Sequence, residues 1–209
     1  MRLIHIEESE HKNEISYRKA KEILKIKPNV ILFEYPIHEG SSLSDFNKFE
    51  PKEKPKQEIE GWKRGLAVSS KKYPWLKAEY KIIEAIEQLW IRGKQIYLFE
   101  IDGPVELTSL KGTKSQLNNI VWNYLREKYM IENIRKMEAR INKKSIVMIL
   151  CHNFHWKNIQ FLLKKPQKEK IWDYYFVKNG ITKSPRQIQH ELKKQNKILY
   201  KYWKLKSDF

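Results

Sequence analysis

The chain has one cysteine, no apolar run of membrane length and too few acids to balance its bases. A lone Cys151 cannot form an internal disulfide, so the fold must hold without covalent staples. The longest apolar runs, such as residues 146–151, fall far short of the roughly 18 to 20 residues that a membrane helix requires, which excludes a spanning segment. The first twenty residues carry too many charges for the apolar core of a secretory signal. Together these shortfalls predict an intracellular, cytoplasmic protein without a membrane span. The His-Glu-x-x-His and paired-cysteine spacings of zinc sites are missing, as is any recognisable RNA- or DNA-binding motif or internal repeat. A length of 209 residues suits one ordinary domain, 1–209, able to bury a real core.

What is present in excess is positive charge. Lys and Arg number 42 against 25 Asp and Glu, a formal net charge of +17 whose field would draw in phosphates or anionic surfaces. Nucleic acid is one partner this suggests. The excess is mostly lysine beside abundant Ile, Asn and Tyr, a mixture that an A/T-rich coding sequence also produces without any function attached. Lys and Glu enrichment with a single Cys suits a thermophile as well.

Four short apolar runs read as buried strands, and each ends on residues able to do chemistry. Residues 2–6 run into Glu7, Glu8 and His11; Val30–Phe33 stops at Glu34; 96–99 stops at Glu100 and Asp102; 146–150 stops at Cys151, His152 and His155. Ligands of open α/β sheets bind outside the carboxyl ends of parallel strands, so polar groups there converge on one place. Helical spacing over 12–27, 77–92 and 115–142 alternates with these runs, and Pro28 and Gly93 supply stops. A strand, a helix of this length and a second strand form a right-handed crossover, which implies parallel neighbours. The predicted fold is α/β, a mainly parallel sheet with helices on both faces.

Residues 36–76 break the alternation. They hold Gly40-Ser41-Ser42, a charged stretch with Pro51 and Pro55, and then Gly61, Gly65 and Ser69-Ser70. A loop this long inside one domain predicts an insertion or lid over the site. Further on, 156–163 reads as a short helix and 172–177 as an aromatic edge strand. Ser184-Pro185, a capping hydroxyl before a proline at the first helical position, opens a basic C-terminal helix over 184–209.

Glu8 and His11 sit in a strand-to-helix turn, where backbone amides also favour a bound anion or oxyanion. Cys151-His152-Asn153-Phe154-His155 repeats the arrangement after the fourth strand. Two imidazoles with Glu8 and Glu34 suit either a divalent metal, Mn or Zn, or a metal-free pair with His as base. Tentative metal ligands are His11, His155 and Glu34.

Glu7-Glu8-Ser9-Glu10-His11, Pro28-Asn29-Val30-Ile31-Leu32-Phe33-Glu34, Arg126-Glu127-Lys128-Tyr129-Met130 and the strand ending at His155 stand in a recognisable order. In these segments, roughly 1–35 and 120–165, the chain resembles the TraB, TIKI, ChaN and erythromycin-esterase superfamily. Its motifs are a Gly-Glu-x-x-His turn, a Pro-x-x-Val-x-x-Glu strand, an Arg-x-x-x-Met helix and a strand ending in Gly-x-x-His. The family glycines are Glu7 and His152 here, which removes the close backbone approach a glycine permits. The resemblance implies an EreA/ChaN-like hydrolase, peptidase-like or esterase-like, of an ester or amide in a small molecule or peptide. His11, Glu8, Glu34, Arg126 and His155 would be catalytic, with Arg18, Tyr17 and His152 binding substrate. Arg126 would pair with Glu34 or stabilise the oxyanion. The other class of function is RNA or single-stranded DNA binding on the same fold without catalysis, through lysines interleaved with aromatics over 161–209. At helical spacing, Trp203 and Leu199 read rather as core.

Overall fold

The chain is described by a computed structural model covering residues 2–7, 13–34, 55–72, 76–108, 110, 115–164 and 168–206. Contacts divide it into two compact units, one of residues 1–101 and 136–153 and the other of 102–135 and 154–209.

The first unit carries the sheet. Strands β1 (Arg2–Glu7), β2 (Val30–Phe33), β3 (Tyr97–Glu100) and β4 (Ile146–Cys151) lie where the apolar runs predicted them, all parallel, in the order β1-β4-β2-β3. Helix α1 (Asn13–Ile26) joins β1 to β2, but β4 stands between those two strands, so they are not the neighbours that the crossover pattern suggested. The reason is distant in sequence. Asn29 donates its N–H to the Ile146 carbonyl at 2.8 Å and accepts the Ile146 N–H on its side-chain oxygen at 3.0 Å, while its own carbonyl takes the Tyr97 N–H at 2.8 Å. One residue thus aligns the starts of β2, β3 and β4.

Alternate residues of the central strands fill both faces. Ile31, Phe33, Met148 and Leu150 join a core with Ile23 of α1 and with Ile82, Ile83, Ile86 and Leu89 of α3 (Leu76–Ile91). Val30, Leu32, Val147 and Ile149 are buried too, as expected for parallel strands that read as continuous apolar runs. Helix α1 ends through Lys27, whose positive φ of 51° closes a turn onto Ile23 just before Pro28. Gly93, at φ 77°, closes α3 in the same left-handed way.

Part of the expected insertion belongs to this core. Residues 55–72 form α2 (Pro55–Lys72), an 18-residue helix that buries Ile59 and Leu66 against the others. Its apolar residues are sparse because one narrow face does the packing, which is why 36–76 looked too polar for structure. The stretch 36–54 of the expected lid lies outside the described residues.

The second unit is helical: α4 (Val105–Thr108), most of α5 (Gln116–Glu138), α6 (Asn153–Leu163), α7 (Lys168–Tyr175), α8 (Pro185–Gln195) and α9 (Lys197–Lys206), with a 3-10 turn at Val177–Asn179. The aromatic edge strand expected at 172–177 is instead the end of α7 and that turn. Its aromatics wrap the Tyr124 ring of α5, with Tyr175, Phe176 and Trp203 centred 5.1, 5.6 and 6.2 Å away. β-propensity yields there to packing of rings edge-on. The single C-terminal helix of 184–209 is two, broken at Asn196, which caps α9 by accepting the Leu199 N–H at 3.0 Å. Ser184 opens α8 as expected, with a reciprocal capping box to Gln187. Among the described residues no helix is long and apolar enough to cross a membrane.

Candidate active site

Two carboxylates without solvent exposure organise the polar interior, one in each unit. In the first, Glu34 follows β2 directly and accepts the backbone N–H of His152, at the end of β4, at 2.7 Å. The chain steps from β1 to β2 and on to β3, then turns back over β2 to β4, which puts Glu34 and His152 at the carboxyl ends of two adjacent parallel strands, the end where ligands of such sheets bind. Glu34 therefore sets the point at which β4 hands over to α6. Beside it, the ring nitrogen Nε2 of His5 donates to the Cys151 carbonyl at 2.9 Å. Cys151 itself is buried.

In the second unit the carboxylate is Glu127, in the middle of α5. Its Oε1 accepts Nδ1–H of His155 at 2.8 Å and Nδ2–H of Asn158 at 2.7 Å, both from α6. Asn158 Oδ1 in turn accepts the Tyr174 hydroxyl at 2.6 Å. Glu127 Oε2 is buried with no hydrogen-bond partner among the described residues. Burial drives the Glu127 carboxyl up to about 7, against the opposing pull of its bond to His155. Burial, and then the charge of Glu127, also raises the Tyr174 phenol, keeping it a donor toward Asn158.

Local sequence explains the arrangement. Ile120, Tyr124, Glu127, Ile131 and Ile134 step along α5 by four and three residues, so Glu127 occupies a position on the apolar stripe. His155 and Asn158, three apart on α6, face it together. A cleft of about 240 Å³ adjoins this network, walled by Ile120 and Asn123 of α5, Phe154 and Asn158 of α6, Tyr174 and Tyr175 of α7, and the turn residues Lys178 and Asn179.

The residues singled out in the sequence fare unequally. Glu8 and His11 lie outside the described residues. Tyr17 and Arg18 are on α1, with Arg18 exposed. Glu34 meets the backbone of His152, whose own side chain is exposed. His155 is buried and paired with Glu127. Arg126 forms a buried two-pronged ion pair with Asp102, Nε to Oδ1 at 3.0 Å and the terminal nitrogen to Oδ2, and lies over the Trp122 ring. That guanidinium ties the start of the 102–108 segment to α5. Among the described residues no three His, Cys, Asp or Glu side chains gather as a metal centre requires, and His11, one of the three expected ligands, is not among them.

Glu127, Asn158 and Tyr174 were not foreseen. Glu127 sits in the charged run Arg126-Glu127-Lys128, which reads as a solvated helix face, yet its spacing on the stripe was the signal that a carboxylate is taken inside. In the C-terminal region the aromatics Tyr175, Phe176, Tyr202 and Trp203 are buried in the second unit, and Lys201 and Lys206 pair with Glu106 and Glu132. Comparison with known proteins finds no matching family model, no matching curated protein and no matching solved structure.

Proposed function

We propose that this chain is a hydrolase of an ester or amide bond, a divergent relative of the TraB, TIKI, ChaN and erythromycin-esterase group, in which His155 is the general base and Glu127 orients it. The observation that carries this reading is the Glu127–His155 hydrogen bond, buried and linked through Asn158 to a cleft. A carboxylate that accepts Nδ1–H leaves Nε2 as the basic nitrogen of the neutral ring and stabilises the imidazolium that forms when it takes a proton. Nε2 would take a proton from water as the water oxygen attacks the substrate carbonyl carbon. On collapse of the tetrahedral intermediate the same proton would pass to the leaving alcohol or amine.

The test is turnover of a panel of p-nitrophenyl esters and N-acyl amino-acid amides by purified protein. His155→Ala should lower kcat by a hundredfold or more, within the range that a positioned base contributes. Equal rates for wild type and His155→Ala across the panel would refute the assignment.

A further inference from the structure

The cleft beside Asn158 has a chemical character of its own. Lys178 is the one charged residue among those lining it, and the remaining polar groups are amides and phenols: Asn123, Asn158, Tyr174 and Tyr175. The Lys178 ammonium stands 5.6 Å from the centre of the Tyr174 ring, a contact that keeps the cation at the cleft. Tyr175 is 3 % exposed, and its hydroxyl is buried without a hydrogen-bond partner among the described residues. Phe154 and Ile120 supply an apolar side. The volume of about 240 Å³ equals about eight waters of liquid, room for a small molecule and no more.

We propose that this cleft binds a small N-acyl amino acid or similar amide-bearing carboxylate, with its carboxylate on Lys178 and its amide against the asparagine side chains of the lining. An ammonium with no acidic residue in the same lining favours an anion over a cation, and paired donors and acceptors of Asn side chains match a planar amide edge to edge. This names the substrate class for the hydrolase reading and rests on it for turnover, though not for binding.

Calorimetric titration with N-acetylglycine, its neutral counterpart N-acetylglycinamide and the cationic N-acetylethylenediamine tests it. The experiment is done on wild type and on His155→Ala. Saturable millimolar or tighter binding of the carboxylate is expected on both, at least tenfold tighter than of the other two. Lys178→Glu should abolish that preference, and its exposed position keeps the fold intact, checked by an unchanged melting temperature. Equal affinity for the three probes, a preference that survives Lys178→Glu, or no saturable binding at all would overturn the inference. Binding that obeys these expectations in a protein that hydrolyses nothing would leave the cleft standing and remove the hydrolase reading alone.

Discussion

Glu34 and Glu127 are equally shut off from solvent, each with no exposed surface, yet they are used in different ways. Glu34 ends a strand and accepts a backbone amide from the end of the neighbouring strand, which joins β2 to β4. Glu127 interrupts the apolar stripe of a helix and accepts an imidazole, a partner that can titrate. Burial by itself therefore does not mark a functional carboxylate. Glu127 is set apart by the imidazole it faces, because a titratable partner lets a proton move at neutral pH.

The largest effect expected from breaking this contrast is kinetic. If the titratable pair is the reactive one, His155→Ala should remove about a hundredfold to ten-thousandfold of ester or amide turnover. Glu34→Gln should change kcat by less than tenfold, measured on the same substrates. A larger loss in Glu34→Gln than in His155→Ala would invert the assignment of roles.

Next in size is the pH dependence of stability. The Glu127 carboxyl is raised to about 7 in the folded protein, above its ordinary value of 4.5. Between those values the native state holds a proton that the unfolded chain has lost. Stability should therefore fall as pH rises from about 4.5 to 7, by on the order of 3 kcal/mol for this group. Urea unfolding of wild type and Glu127→Gln at pH 5, 6 and 7 isolates it. The difference in stability between the two should grow with pH in favour of the variant, and parallel curves would show that Glu127 does not titrate there.

Truncating Glu34 should cost less. Glu34→Ala strands the His152 N–H at the strand end, a loss of about 1–3 kcal/mol read from the urea midpoint at constant slope. The smallest effect lies far from either glutamate: Ser184→Ala opens the α8 capping box and should cost about 1 kcal/mol without altering turnover. A turnover change in that variant would mean that α8 does more than close the helical unit.

Much of the fold was legible along the chain. Val30–Phe33 and the run before Cys151 could only be buried strands, being short, β-rich and bounded by stops, and the 3.6-residue spacing of α1, α3 and α5 left little choice. Where reading failed, a competing force had won. Residues 172–177 have strand propensity but are drawn into a helical cluster around Tyr124, and 55–72 shows too few apolar residues to announce a helix that needs only Ile59 and Leu66 to dock. Of the candidate site, Glu34, Asp102, His152 and His155 were visible because they follow strands. The partner of His155 was not, since Glu127 acquires meaning only when α5 lies against the residue it bonds.

What the amino-acid order determined by itself is local: strand and helix identity, the stops at Pro28 and Gly93, the cap at Ser184, and a parallel sheet from the alternation of the two. These follow from steric and hydrogen-bond preferences that act within a few residues. Only the tertiary structure decided that β4 inserts between β1 and β2, that Arg126 pairs with Asp102, and that Glu127 faces the imidazole of α6. Those outcomes depend on which distant side chains share a buried, low-dielectric space. There a single unpaired charge is costly enough to select its partner, and no spacing along the chain encodes that choice.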